Sequence, residues 1–112
     1  PDSTPGKVSR LVGDHWASPD QSRYLFYASD ADSQITSYYL QYTARYFLFA
    51  AQVDAVDRLE DADFKKKLEK YDYLVVLESD GAIREFMKKY GKTGDDITGI
   101  YPVQETFRES RP

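Results

Sequence analysis

Residues 23–33 read Arg23-Tyr24-Leu25-Phe26-Tyr27-Ala28-Ser29-Asp30-Ala31-Asp32-Ser33. The first part is a short, continuous run of aromatic and aliphatic side chains bounded by polar residues. Such a run is the pattern of a strand buried on both faces. Ser29 to Ser33 then supplies oxygens that accept hydrogen bonds from free backbone N–H groups, and Asp32 or Ser33 is the expected helix cap. Ile35, Tyr38, Tyr39, Tyr42 and Tyr46 follow at i, i+3, i+4, i+7 and i+11, one apolar stripe of an α-helix. The spacing predicts a helix over 33–47 whose tyrosines pack on a sheet and lay their hydroxyls at its rim.

The same unit recurs along the chain. Residues 46–56 are compatible with a continued helix or with a strand, because alanines favour the first and aromatic and β-branched residues the second. A strand at about 51–56 is the reading adopted. Asp61 is expected to cap a helix that buries Phe64, Leu68 and Tyr71 and exposes Lys65, Lys66, Lys67 and Lys70 near its C-terminal end. Tyr73-Leu74-Val75-Val76-Leu77 is a second buried-strand run. Ser79 or Asp80 caps a helix with Ile83, Phe86, Met87 and Tyr90 inward, and Gly91 stands where a left-handed C-terminal cap belongs. Residues 98–103 make a last short strand, which Pro102 assigns to a sheet edge because proline has no N–H to give.

The order β-α-β-α-β-α-β implies crossover connections and a mainly parallel sheet. The expected fold is α/β, a small three-layer α/β/α sandwich of Rossmann-like kind, with the last strand free to run antiparallel at the edge.

The chain has 112 residues, enough for one domain. Residues 1–22 read as an N-terminal linker and loop segment, 23–107 as the single domain, and 108–112 as a C-terminal tail. Pro, Ser, Thr and Gly crowd positions 1–6, so the expectation is a domain cut from a longer chain. With no cysteine, a disulfide framework, a thiolate zinc site and a cysteine nucleophile are excluded. His15, the single histidine, sits in the N-terminal segment and reads as a surface residue. A formal charge of −4 argues against general nucleic-acid binding, which needs basic surface. The longest apolar stretch, Tyr46 to Ala51, is far short of the ~20 residues that span a bilayer.

Ligands of open parallel sheets bind where strands end, near a topological switch point. The acidic residues expected there are Asp30, Asp32, Glu78 and Asp80. Carboxylates on adjacent strand ends could hold a hard divalent cation such as Mg²⁺. The preferred reading gives them plainer work, with Asp32, Ser33, Ser79 and Asp80 capping helices and Asp30 and Glu78 solvated. No metal site or cofactor is expected on that reading, and no catalytic residue is assigned. Asp30-Ala31-Asp32 also resembles the opening motif of haloacid-dehalogenase-type phosphatases. Ser33-Gln34 stands where that family continues with Gly-Thr, and the later lysine and acidic pair have no match. No glycine-rich phosphate loop follows the first strand. Lys65-Lys66-Lys67 reads as a solvated helix face. Among the tyrosines, Tyr39 and Tyr42 are the candidates to point outward as an aromatic surface for sugars, a partner or a membrane interface.

Tyr71-Asp72-Tyr73-Leu74-Val75-Val76-Leu77-Glu78, the later Gly99-Ile100-Tyr101-Pro102-Val103, Thr43-Ala44-Arg45-Tyr46 and Gln52-Val53 carry a resemblance. Over about residues 23–103 the chain resembles the C-terminal soluble domain of bacterial polytopic membrane proteins related to dolichyl-phosphate-mannose-type glycosyltransferases. The resemblance implies an appended domain on the extracytoplasmic face of the cell membrane, with any catalytic carboxylates in the membrane part. The expected function is a noncatalytic accessory domain that binds or positions a glycan or partner, alongside its parent membrane region or a partner subunit. The alternative is a small Mg²⁺-dependent phosphatase-like or phosphoryl-transfer enzyme using the strand-end carboxylates. A receiver-like signalling domain ranks below both.

Overall fold

The structure, a computed structural model, describes residues 15–16, 21–59 and 61–108, with the backbone alone at 61 and 62. The side chain of Asp61, the expected cap of the helix that follows it, lies outside these residues. Among the described residues, four strands, β1 (Arg23–Tyr27), β2 (Gln52–Val56), β3 (Tyr73–Val76) and β4 (Gly99–Pro102), alternate with α1 (Ala31–Tyr46), α2 (Asp61–Leu68) and α3 (Gly81–Lys88). A single turn, α4 (Val103–Thr106), follows β4.

The strands form one mixed sheet in the order β2-β1-β3-β4. β1 lies parallel to β2, with Arg23 opposite Gln52 and Tyr27 opposite Val56. It is also parallel to β3, with Tyr24 opposite Tyr73. β4 is antiparallel to β3 and forms an edge, with Pro102 opposite Tyr73, as the missing proline donor predicts.

Period-two alternation divides the core. Leu25, Tyr27, Leu74 and Val76 pack with Phe64 and Leu68 of α2 and with Ile83, Phe86 and Met87 of α3. Tyr24, Phe26, Val75 and Leu77 pack in a separate cluster with Trp16, Val53, Leu48 and Ala44 of α1. β1 therefore needs apolar residues at successive positions, and Tyr24 to Tyr27 are all 0–1% exposed.

The termini of α3 match the sequence. The Asp80 side chain accepts a hydrogen bond from the Ile83 N–H at its start. After its end, Gly91 adopts φ 78°, a conformation a Cβ would oppose.

The orientation of α1 corrects the sequence reading. Its expected core stripe faces out: Ile35 is 57% exposed, Tyr38 68%, Tyr39 67%, Tyr42 50% and Tyr46 61%. The helix buries Ser33, Ser37 and Ala44 instead. The cause is volume. The sheet face beneath α1 already carries Tyr24, Phe26 and Trp16, and close packing there leaves room for small helix residues. Partly buried Leu40 completes this inner stripe.

Candidate functional site

β1 is continued by α1 to β2 on one side of it, and β3 by α3 to β4 on the other. The carboxyl ends of β1 and β3 thus form the crevice in which open α/β sheets bind ligands. Ser29 and Asp30 follow β1, and Glu78, Ser79 and Asp80 follow β3.

Glu78 is buried, at 8% exposure, rather than solvated as the sequence reading had it. Its carboxylate accepts hydrogen bonds from the Ser29 N–H and hydroxyl. The Asp30 N–H donates to the same group at 3.1 Å. Free N–H groups at a strand-to-helix junction are where such folds bind an anion. Here a side chain from the neighbouring strand end supplies that anion.

Asp30 caps α1, accepting from the Ser33 N–H at 2.8 Å and facing the Ser33 hydroxyl at 3.0 Å. The cap is therefore Asp30, two residues before Asp32 and three before Ser33, and Asp30 is bound rather than merely solvated. Asp32 lies in the first turn of α1, exposed, where negative charge favours the helix dipole. Asp80 caps α3 and accepts from the Tyr27 hydroxyl at 2.6 Å. Its Oδ2 lies 2.7 Å from the Ser29 hydroxyl. Ser79, the other capping candidate, instead accepts the Ile97 N–H through its hydroxyl at 2.7 Å.

The electrostatics follow from these bonds. Burial pushes the Asp80 carboxyl up, but hydrogen bonds from the Tyr27 hydroxyl and the Ile83 and Ala82 N–H groups outweigh it, with the one Ser29 hydroxyl proton shared between Asp80 and Glu78, and hold the group below the usual carboxylate range. Burial raises the Tyr27 hydroxyl well above an ordinary tyrosine, and the bond to Asp80 adds to the rise. At neutral pH the pair is a neutral phenol donating to a carboxylate. Neither group is poised for proton transfer near pH 7.

Asp30, Glu78 and Asp80 are brought together around Ser29, and each is committed to a backbone N–H at a strand or helix terminus. Among the described residues, no group of three or more His, Asp or Glu side chains is placed to hold a metal ion. The adjoining pocket, about 260 Å³, is lined by Asp30, Ser33, Glu78, Ser79, Asp95 and Asp96. It is smaller than the ~300–1,000 Å³ typical of ligand sites.

A second region differs in kind. The large apolar side chains left exposed among the described residues are Ile35, Tyr38, Tyr39, Tyr42, Tyr46, Phe47 and Phe49. All belong to α1 or to the turn after it. Tyr42 lies 4.8 Å from Tyr46 and 6.2 Å from Phe47, ring centre to ring centre. Phe49 is held at φ 58°, left-handed backbone that a bulky residue rarely adopts. Tyr39 and Tyr42, the outward candidates from sequence, lie within this band. Phe47 and Phe49 were missed, because the helix-to-strand boundary there was ambiguous. The signal for the whole band was the complementary spacing of Ser33, Ser37, Leu40 and Ala44, three small residues and one leucine on the opposite side of the same helix.

A cleft of about 540 Å³ runs beside Tyr38, lined also by Gln34, Ser37, Gln41, Asp57 and Arg58. His15 is exposed, its ring 4.8 Å from that of Tyr73.

No protein-family model, curated protein or solved structure matches this chain. Among the described residues, no helix is long and apolar enough to cross a membrane.

Proposed function

We propose that this chain is a noncatalytic binding domain whose working surface is the outer face of α1 and the turn that follows it. One observation carries the reading. Every large apolar side chain left in water among the described residues lies in 35–49, while the fully buried side chains of the same helix are Ser33, Ser37 and Ala44. Large exposed apolar patches are costly for a protein that never covers them, and they mark interaction sites. The strain at Phe49 adds to this, because a bulky residue in left-handed backbone persists where something holds it there. Asp30, Glu78 and Asp80 are occupied as caps and as a junction anion, which leaves Asp32 alone of the four strand-end carboxylates for the enzymatic alternative.

The sheet with helix-borne clusters on alternate strand positions is read as a three-layer α/β/α sandwich of Rossmann-like kind. An extracytoplasmic location, beside the spanning segments of a membrane protein, rests on the sequence resemblance alone. A glycan is a second occupant, favoured by the amides of Gln34 and Gln41 and the ring of Tyr38 around one cleft.

Amide NMR tests the reading. The ¹⁵N-labelled chain is titrated with soluble wall-type oligosaccharides, with phospholipid vesicles and against its own concentration, and separately with Mg²⁺ and inorganic phosphate. The expected perturbations fall on residues 34–49. Saturable shifts centred on Asp30, Glu78 and Asp80 with Mg²⁺ or phosphate, and none on α1 in any series, overturn it.

A further inference from the structure

We infer that the aromatic face of α1 docks a second copy of this chain, helix against antiparallel helix, across a twofold axis between Tyr38 and Tyr39. The inference rests on the proposed binding role of that face and names its partner.

Aromatic side chains present about 150–250 Å² each, so the half- to two-thirds-exposed side chains of residues 35–49 offer on the order of 800 Å². That exceeds the ~300–600 Å² of the largest patch on a typical monomer, and the part of it on α1 is of the order that each partner gives to a standard interface, ~800 Å².

The order of residues along α1 is also self-complementary. A twofold axis makes an interface self-complementary, so residue i meets j and j meets i. Antiparallel helices related by an axis between 38 and 39 set Tyr38 against Tyr39 and Ile35 against Tyr42. The same register sets Tyr46 over Ala31, large against small. It also sets Asp32 against Arg45 at both ends of the contact. These are the only charged residues of α1, and both are exposed. Arg45 spends one N–H on the Val53 carbonyl at 2.9 Å, and a guanidinium carries five. A parallel pair would oppose Asp32 to Asp32 and Arg45 to Arg45.

Sedimentation equilibrium and cross-linking test this on the full chain. The expected mass is twice the 12.9 kDa of one chain. Tyr39→Glu, which puts two carboxylates near the axis, should weaken association at least tenfold while leaving the far-UV circular dichroism unchanged. Asp32→Arg alone should weaken it several-fold, and Asp32→Arg with Arg45→Asp should restore it. Because the chain has no cysteine, Tyr38→Cys should oxidise to a disulfide-linked dimer when mixed with Tyr39→Cys, and exposed Lys88→Cys on α3 should not.

A chain that stays monomeric at millimolar concentration overturns the inference. A dimer that survives Tyr39→Glu overturns it as well, since the contact then lies elsewhere. If vesicles or oligosaccharides still perturb residues 34–49 of the monomer, the binding reading stands and only the second copy is lost. If nothing perturbs them, both fall.

Discussion

Replacing Glu78 with alanine should be among the most damaging single changes at the strand ends. The carboxylate is buried and accepts from two backbone N–H groups and one hydroxyl. Hydrogen bonds to a charged group are worth about 1.5–3 kcal/mol each, and an orphaned donor costs about 1–3 kcal/mol. Ser29 and Asp30 are themselves exposed, so water refills part of the site, and the net loss is about 2–4 kcal/mol. At ~4–8 °C per kcal/mol for a domain of about this size, the melting temperature falls by roughly 8–32 °C. Glu78→Gln keeps one acceptor oxygen and should cost about half as much. The assay is urea unfolding followed by circular dichroism, at one protein concentration, because any self-association adds to apparent stability. A loss under about 0.5 kcal/mol for the alanine variant, the level of an ordinary surface change, would refute the assignment of Glu78 as the anion that closes the junction.

Other outcomes follow from the same geometry. Ala44→Leu should destabilise by about 1–3 kcal/mol by overpacking the inner face of α1, whereas Tyr42→Ser in monomeric chain should stay within about 0.5 kcal/mol; thermal melts at low concentration separate them. The folded-state value of Asp80 is depressed, so the unfolded chain takes up that proton first as pH falls. Its contribution is complete above the ordinary carboxylate value of ~3.9 and is lost as pH drops through the folded value. Asp80→Asn should therefore lower stability at pH 6 and flatten the acid limb of a stability–pH curve. Gly91→Ala should cost about 1 kcal/mol from backbone strain alone, since open space surrounds a Cβ there. Phe49→Asn should leave denaturant stability level or raise it by about 0.5–1 kcal/mol, because asparagine tolerates left-handed backbone.

Much of the architecture was legible from single-element signals. The runs 23–28 and 73–77 announced buried strands, Gly91 its left-handed cap, and Pro102 its edge. Each depends on a property of one residue or one short run. The inner face of α1 was not legible in that way. A five-residue apolar stripe with helical spacing names a helix and leaves open which side turns inward. The outcome depended on how much volume Tyr24, Phe26 and Trp16 filled from the opposite side. The acidic cluster shows the same division. That Asp80 caps a helix is a local fact written in Ser79-Asp80-Gly81. That Glu78 serves a helix N-terminus 48 positions away is a fact of strand pairing, and no local pattern carries it.

The two stripes of α1 share no residue. Ser33, Ser37, Leu40 and Ala44 answer to the sheet, and the tyrosines answer to whatever lies beyond. Substitutions that share no contact add nearly independently. The outer face can therefore be rewritten residue by residue, changing affinity or partner, while the fold registers almost none of it. In a domain this small, one sixteen-residue helix separates the selection that keeps the chain folded from the selection that decides what it meets.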